Sequence, residues 1–157
     1  MLDSASLWEI PPADQLVPSD LPTPMRKLFS IKQHDSDIID LEFSADGKRL
    51  ASSSDKDSTT WLWSTETLVP IKRLTGRRLA FSRDGTLLVT CGSPTVDRRM
   101  AAWNSITGEP EARFPGRDLQ QFGDVLFTPD GKKLIAFNSE GVMRTWNARP
   151  PQRKKSK

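Results

Sequence analysis

Phe43-Ser44-Ala45-Asp46-Gly47 is the stretch around which this chain of 157 residues is organised. The same pattern, a phenylalanine followed by a hydroxyl residue, a variable residue and Asp-Gly, returns at residues 81–85 and 127–131. The glycines of successive copies are 38 and 46 residues apart. A self-similar period in this range predicts a repeat architecture, in which each copy is one supersecondary unit that packs on its neighbours.

A tryptophan closes each copy. Trp63, Trp103 and Trp146 follow the three glycines by 15 to 18 residues, and they are 40 and 43 residues apart. Each copy also holds short runs in which apolar residues alternate, as they do in half-buried β-strands. We therefore expect each copy to fold as an antiparallel β-meander.

Strands are expected in the first copy at residues 38–43, 50–54, 59–63 and 68–74. Ile39, Leu41 and Phe43 share one face at period two, so the first of these is expected to be buried. Asp46-Gly47 is expected to form a two-residue hairpin turn, because both residues tolerate positive φ. Matching strands are expected at residues 77–81, 86–91, 99–103, 111–114, 133–137 and 142–146, and Pro150-Pro151 stops the third copy before a fourth strand.

The N-terminal segment differs in composition from the repeats. Residues 1–24 hold five of the twelve prolines, so most of the segment is expected to be neither helix nor central strand. Residues 6–10 have two interpretations, an extended linker with an incidental tryptophan or the remnant of a further repeat, because they resemble residues 61–64. Residues 25–32 are predicted to form a short strand.

The net charge of +3 comes from the C-terminal end of the chain. Residues 149–157 carry five Lys and Arg and no acid, which leaves a charge of about −2 on the rest of the chain. A nucleic-acid surface spread over the fold is therefore not expected.

The N-terminus lacks the basic start and apolar core of a secretory signal, and no apolar run is long enough to span a membrane. A cytoplasmic location is expected by default.

Catalytic and metal-binding chemistry is not expected either. His34 is the only histidine and Cys91 the only cysteine, whereas a zinc site needs three or four such ligands. A single cysteine also excludes an intrachain disulfide. The sequence shows no glycine-rich phosphate loop leading into a helix. We expect no enzyme activity, no cofactor and no metal.

In these features the chain resembles the WD-repeat family of β-propellers. The resemblance rests on the three Phe-hydroxyl-x-Asp-Gly turns and on the closing aromatic runs at residues 61–64, 101–104 and 144–147. It implies an all-β fold whose blades are four-stranded antiparallel meanders. The implied division is a Pro-rich segment at residues 1–24 with a possible blade remnant at 6–10, repeats at about 25–64, 68–104 and 111–147, and a basic, disordered tail at 148–157.

The resemblance also implies a structural tetrad of His, Ser or Thr, Asp and Trp within each repeat. The first repeat offers His34, Asp57 and Trp63, with Ser52 or Ser54 as the hydroxyl. The tetrad residues that the later repeats retain are Asp97, Trp103 and Trp146. Only the first repeat therefore has a complete set, and buried imidazole and carboxylate groups need such hydrogen-bond partners.

Three repeats are too few to close a propeller, which typically has four to eight blades. The chain is then a piece of a larger propeller, or it completes a ring with a second chain (two copies that exchange strands would give six blades), or it stands as an open partial propeller. In closed propellers a strand from the opposite terminus commonly completes the last blade. Residues 25–32 are the candidate for that strand here.

The function implied by the resemblance is a non-catalytic scaffold for protein–protein interactions, with unknown protein partners. Loops at one end of the blades would form the partner-binding face, and its candidate residues are Lys56, Arg77, Arg98 and Arg117. Arginine suits such contacts because its planar fork offers several donors. The alternative is binding of nucleic acid or an anionic surface through the basic tail, residues 149–157.

Overall fold

The computed structural model describes residues 5–9, 25–92, 100–114 and 122–148. This part of the chain is all-β and forms four separate antiparallel sheets. None of the four sheets closes on itself or on another to make a ring. The predicted all-β class with an incomplete propeller is therefore confirmed.

The first sheet has two strands, β1 (Ala5–Glu9) and β2 (Arg26–Ile31). They pair antiparallel with Leu7 opposite Phe29. The prediction that residues 25–32 complete the third copy is wrong, because their strand pairs with β1 instead. We call this two-stranded sheet the half-blade.

Two sheets are complete four-stranded meanders with sequential strand order. Blade 1 consists of β3 (Ile38–Phe43), β4 (Arg49–Ser54), β5 (Thr59–Ser64) and β6 (Pro70–Thr75). Blade 2 consists of β7 (Arg78–Phe81), β8 (Leu87–Cys91), β9 (Ala101–Asn104) and β10 (Pro110–Arg113). Blade 3 has three strands in the described residues, β11 (Asp124–Phe127), β12 (Lys133–Phe137) and β13 (Met143–Asn147).

The blades stack face to face, and the apolar core lies between them. Ile31 of the half-blade packs with Leu50 and Trp63 of blade 1. The next cluster joins blade 1 to blade 2 and holds Ala51, Leu62, Leu74, Leu79, Phe81 and Leu88. The largest cluster joins blade 2 to blade 3 and includes Ala80, Val89, Cys91, Met100, Ala102, Phe122, Val125, Leu134 and Ala136. The stacking brings the first strands of the three blades, β3, β7 and β11, side by side.

The repeated Phe-hydroxyl-x-Asp-Gly turn has the same geometry in every copy. In the first copy the Ser44 hydroxyl donates to Asp46 Oδ1 at 2.6 Å, and the same carboxylate oxygen accepts from the backbone N–H of Lys48 at 3.0 Å. The hydroxyl–carboxylate distance is also 2.6 Å in the second and third copies. Aspartate therefore shapes this turn through its side chain.

The prediction of a two-residue hairpin at Asp46-Gly47 is wrong. Five residues separate β3 from β4, and only the glycine adopts positive φ, at 70°. The glycines at the two later turns have φ of 69° and 70°. Glycine is required at this point because the left-handed region is costly for residues with a Cβ.

The prediction that residues 38–43 form a buried strand is also wrong. Ile39, Leu41 and Phe43 do lie on one side of the strand, but Leu41 and Phe43 are exposed. The half-blade packs on β4 and β5 of blade 1 and on Ile38 at the start of β3, and it leaves Leu41 and Phe43 open. Within the described ranges, no helix has the length and apolar character needed to cross a membrane.

Candidate functional site

A buried hydrogen-bond network crosses blade 1. His34 Nε2 lies 2.8 Å from Ser52 Oγ, and Trp63 Nε1 donates to the same hydroxyl oxygen at 3.0 Å. On the other side of the ring, His34 Nδ1 lies 3.4 Å from Thr59 Oγ1 and 3.7 Å from Asp57 Oδ2. Of the two serines that the sequence left open, Ser52 is thus the one beside the histidine and the tryptophan.

Burial sets the charge states in this network. It lowers the pKa of His34, and the neighbouring Asp57 carboxylate offsets only part of that effect. Burial opposes ionisation of Asp57, but hydrogen bonds from Thr59 and from the backbone of Asp35 together hold its pKa below the usual value. The neutral imidazole and the ionised carboxylate are suited to hold the segment before β3 against β4 and β5. The Ser52 hydroxyl beside the imidazole is fully buried and also accepts from Trp63, so it serves as a structural partner.

The described residues of blade 2 contain part of the same network. Trp103 Nε1 donates to Thr90 Oγ1 at 2.9 Å, and that hydroxyl donates to the carbonyl of Thr75 at 2.7 Å. Thr90 was not identified from the sequence, although it stands two residues after Leu88, as Ser52 stands two after its leucine. Asp97 lies outside the described residues.

Blade 3 has no counterpart of this hydroxyl. Ala136 stands two residues after Leu134, at the position that Ser52 and Thr90 occupy in the other blades. Trp146 is instead packed edge-on against Phe114 and Phe122, with ring centroids 5.5 and 5.9 Å away. In the described residues, the tryptophan of blade 3 is thus held by apolar contacts, whereas those of blades 1 and 2 bond a hydroxyl.

The predicted partner-binding face is only partly described. Lys56 is exposed in the loop between β4 and β5. Arg77 forms an ion pair with Asp55, with 2.7 Å between Nη1 and Oδ1, so it links the ends of blades 1 and 2. Arg98, Arg117 and the basic tail at residues 149–157 lie outside the described residues, and their roles stay predictions.

Two carboxylates lie between the first strands of blades 1 and 2. Asp40 Oδ2 accepts from the backbone N–H of Leu79 at 3.4 Å, and Glu42 Oε2 accepts from that of Phe81 at 3.2 Å. Burial raises the pKa of Asp40, and it raises the pKa of Glu42 to about 7. These contacts were not predicted from the sequence, because both residues occupy the polar positions of an alternating strand.

The single thiol is not placed for chemistry. Cys91 is buried between blades 2 and 3, and burial raises its pKa to about 12. Thiols are nucleophilic as thiolates, so this cysteine behaves as a small apolar side chain. In the part of the chain that is described, no three His, Cys, Asp or Glu side chains come together in a group that would hold a metal ion.

Comparisons with known proteins support the repeat interpretation. A family model described as "WD domain, G-beta repeat" matches residues 25–64. The chain is 32% identical over 126 residues to apoptotic protease-activating factor 1 of Homo sapiens, and the alignment covers 73% of this chain and 10% of that protein. It is 28% identical over 140 residues to protein HIR1 of Candida albicans, with coverage of 76% and 15%. It is 29% identical over 149 residues to eukaryotic translation initiation factor 3 subunit I of Bombyx mori, with coverage of 86% and 45%. The chain thus spans less than half the length of each of these relatives.

Proposed function

Because this chain is a WD-repeat protein, we propose that it acts as a non-catalytic scaffold for protein–protein interactions, and that its open propeller is completed by further blades. Those blades come from a larger chain or from a second copy. Two observations support the proposal. The open face of β3 in blade 1 and the outward face of blade 3 both expose large apolar side chains, as interfaces do.

The open face of blade 1 carries the main argument. On β7 of blade 2, Leu79 and Phe81 are covered by blade 1 and are only 4% and 6% exposed. The matching residues on β3 of blade 1 are Leu41 and Phe43, which are 45% and 48% exposed. The same two positions are thus core in one blade and surface in the next, because no inner strands pack against β3 in the described part of the chain. Repeat arrays need polar caps where their stacking ends, and this face has apolar side chains instead.

The opposite end of the stack is similar. Leu126, Phe137 and Met143 lie on the face of blade 3 that points away from blade 2, and they are 41%, 41% and 66% exposed. Contiguous exposed apolar residues of this kind mark protein–protein contact sites. Both ends of the stack therefore offer a surface that fits another blade.

Photo-crosslinking of the purified chain tests this proposal. The crosslinker p-benzoylphenylalanine would replace Phe43 in one sample and Ile106 in a control, because Ile106 is exposed on a loop of blade 2, away from both open faces. We expect irradiation to give covalent dimers from position 43, with the second chain joined through a blade face, and none from position 106. Equal yields from both positions would contradict the proposal that this face is an interface. No dimer from position 43 would exclude a second copy as the source of the further blades.

A further inference from the structure

A cleft of about 260 Å³ opens between blades 2 and 3. Its walls are mainly apolar and include Ala112 and Phe114 at the edge of blade 2, and Leu134 and Trp146 of blade 3. The cleft continues directly from the largest core cluster, which already joins these two blades. It is therefore an unfilled extension of an existing interface.

The matching position between the half-blade and blade 1 is filled. There Leu50 and Trp63 take the places of Leu134 and Trp146, and only about 10 Å³ remains open. Phe29 packs edge-on against Trp63 at 5.4 Å, as the corresponding phenylalanine does against the tryptophan of blade 3 at 5.5 Å. The added wall residue in blade 1 is Leu68, which lies on the connection leading into β6. The turn that leads into the fourth strand is thus what fills this space.

Blade 3 does not supply that strand from the residues described. β13 pairs with β12 along one edge, and its other edge has no partner strand within the described part of the chain. The sequence that follows Ala148 begins Arg-Pro-Pro and contains no further apolar residue beyond the prolines. Proline has no N–H to donate to a strand ladder. A segment more apolar than residues 149–157 is therefore better suited to extend the sheet and fill the cleft.

The residue at one position of β13 indicates the chemistry of that segment. In blade 1, Arg73 of the fourth strand is opposite Trp61, and in blade 2, Arg113 is opposite Ala101. The matching residue of β13 is Arg144, two before the tryptophan, and it is exposed. Like charges directly opposite each other destabilise a strand pair, whereas opposite charges stabilise it. A fourth strand with arginine at this position is therefore disfavoured in blade 3, and an acidic residue is favoured.

We propose that the free edge of β13 and the adjoining cleft bind an extended segment of a partner protein as the fourth strand of blade 3. The segment places an apolar side chain in the cleft and an acidic residue opposite Arg144. This is recognition by strand addition, in which backbone hydrogen bonds provide affinity and a side-chain pocket provides specificity. The proposal rests on the scaffold function above and adds the site and the chemical class of its partner.

Labelled peptides copied from the chain itself test the proposal. The parent peptide has the sequence of residues 67–75, which form the turn and fourth strand of blade 1. A second peptide carries Arg73→Glu, and a third carries Arg73→Glu together with Leu68→Asp. Fluorescence anisotropy would measure the affinity of each peptide for the full chain.

We expect the Arg73→Glu peptide to bind the chain about two to five times more tightly than the parent, which is the range of a cross-strand charge pair. In the Arg144→Glu chain, the parent peptide should instead bind more tightly than the Arg73→Glu peptide. The peptide with Leu68→Asp, and the chain with Ala112→Trp, which fills the cleft, should each lose at least tenfold in affinity. A peptide affinity that changes neither with the charge exchange nor with the filled cleft would overturn the proposal.

Two further measurements distinguish this site from binding by the chain's own C-terminal residues and from self-association through the open faces. If the chain's own C-terminal residues occupied the cleft, Pro151→Asp would strengthen peptide binding several-fold, and that result would also overturn the proposal. Arg144 and Ala112 lie away from the open faces of blades 1 and 3, so their substitution should leave self-association through those faces unchanged. Loss of peptide recognition with intact self-association would reject this site and leave the scaffold function standing.

Discussion

Trp63 and Ser52 of blade 1 are joined by a buried hydrogen bond, in which the indole Nε1 donates to the hydroxyl oxygen at 3.0 Å. Blade 2 repeats the bond between Trp103 and Thr90 at 2.9 Å. Blade 3 has Ala136 at the position of the hydroxyl. The three blades thus share one tryptophan position but differ in how that side chain is held.

The first prediction concerns the hydroxyl of Ser52. Ser52→Ala should lower the free energy of unfolding by about 2–3 kcal/mol, because the buried indole N–H and the imidazole of His34 lose the group they share. Urea denaturation would measure the loss. Ser54→Ala is the matched control, since Ser54 is equally buried but bonds Ser36 and Asp57 rather than His34 and Trp63. A loss for Ser52→Ala no greater than that of the control would show that the network contributes little.

The second prediction concerns the glycine between blades 1 and 2. Gly76 has a φ of 122°, and a Cβ there would lie 2.7 Å from Thr90 Cβ. Gly76→Ala should therefore cost at least about 2 kcal/mol, from backbone strain and from displacement of the side chain that binds Trp103. Gly47→Ala serves as control, because its φ of 70° gives strain but nothing lies within 4 Å of the added Cβ. It should cost about 1 kcal/mol, and equal losses in the two variants would contradict the steric argument.

The third prediction is a pH dependence that arises from Glu42. Burial raises its pKa from 4.5 to about 7 in the folded chain. The folded state then holds a proton that the unfolded state releases, so this group's contribution to stability is present below pH 4.5 and is lost as pH rises to about 7.

Glu42→Gln keeps an acceptor for the backbone N–H of Phe81 and removes the charge. It should raise the free energy of unfolding at pH 8 by roughly 1 kcal/mol and leave it nearly unchanged at pH 4.5, with the magnitude reduced because the side chain is only half-buried. The difference between wild type and variant isolates Glu42 from the opposing titration of His34 and the parallel one of Asp40. Glu140→Gln, at an exposed turn, is the control, and a difference that is constant with pH would refute the prediction.

The fourth prediction concerns the reactivity of Cys91. Because the thiol is buried and its pKa is raised to about 12, it should not react with a disulfide reagent such as dithionitrobenzoate in the folded chain at pH 8. Reaction should appear only across the unfolding transition in urea. Rapid labelling of the native chain would mean that blades 2 and 3 separate readily in solution.

The sequence identified the repeat unit well because the unit depends on local chemistry. A hydroxyl residue two positions before an aspartate forms the same 2.6 Å contact in all three turns, so a short motif is sufficient to find each hairpin. The strands follow from alternation around these turns. The motif did not reveal the length of the hairpin, because Asp46 contributes a side-chain acceptor and its φ stays negative.

Contacts between blades were harder to predict. The polar positions Asp40 and Glu42 of β3 bond to the neighbouring blade, whereas the apolar Leu41 and Phe43 are open to solvent. Alternation identifies the two faces of a strand but does not say which face has a neighbour. That depends on how many blades the assembly contains, which no single repeat encodes. The pairing of β2 with β1 was missed for the same reason.

Sedimentation equilibrium of the purified chain tests most directly the central claim that the open blade faces bind one another between copies of the chain. The wild-type chain should show reversible, concentration-dependent association above its monomer mass of 17.6 kDa. The combination of Phe43→Glu and Phe137→Glu places charge on both open faces and should shift the equilibrium toward monomer, while Ile106→Glu should not. A folded wild-type chain that stays a monodisperse 17.6 kDa monomer at every concentration would contradict the claim.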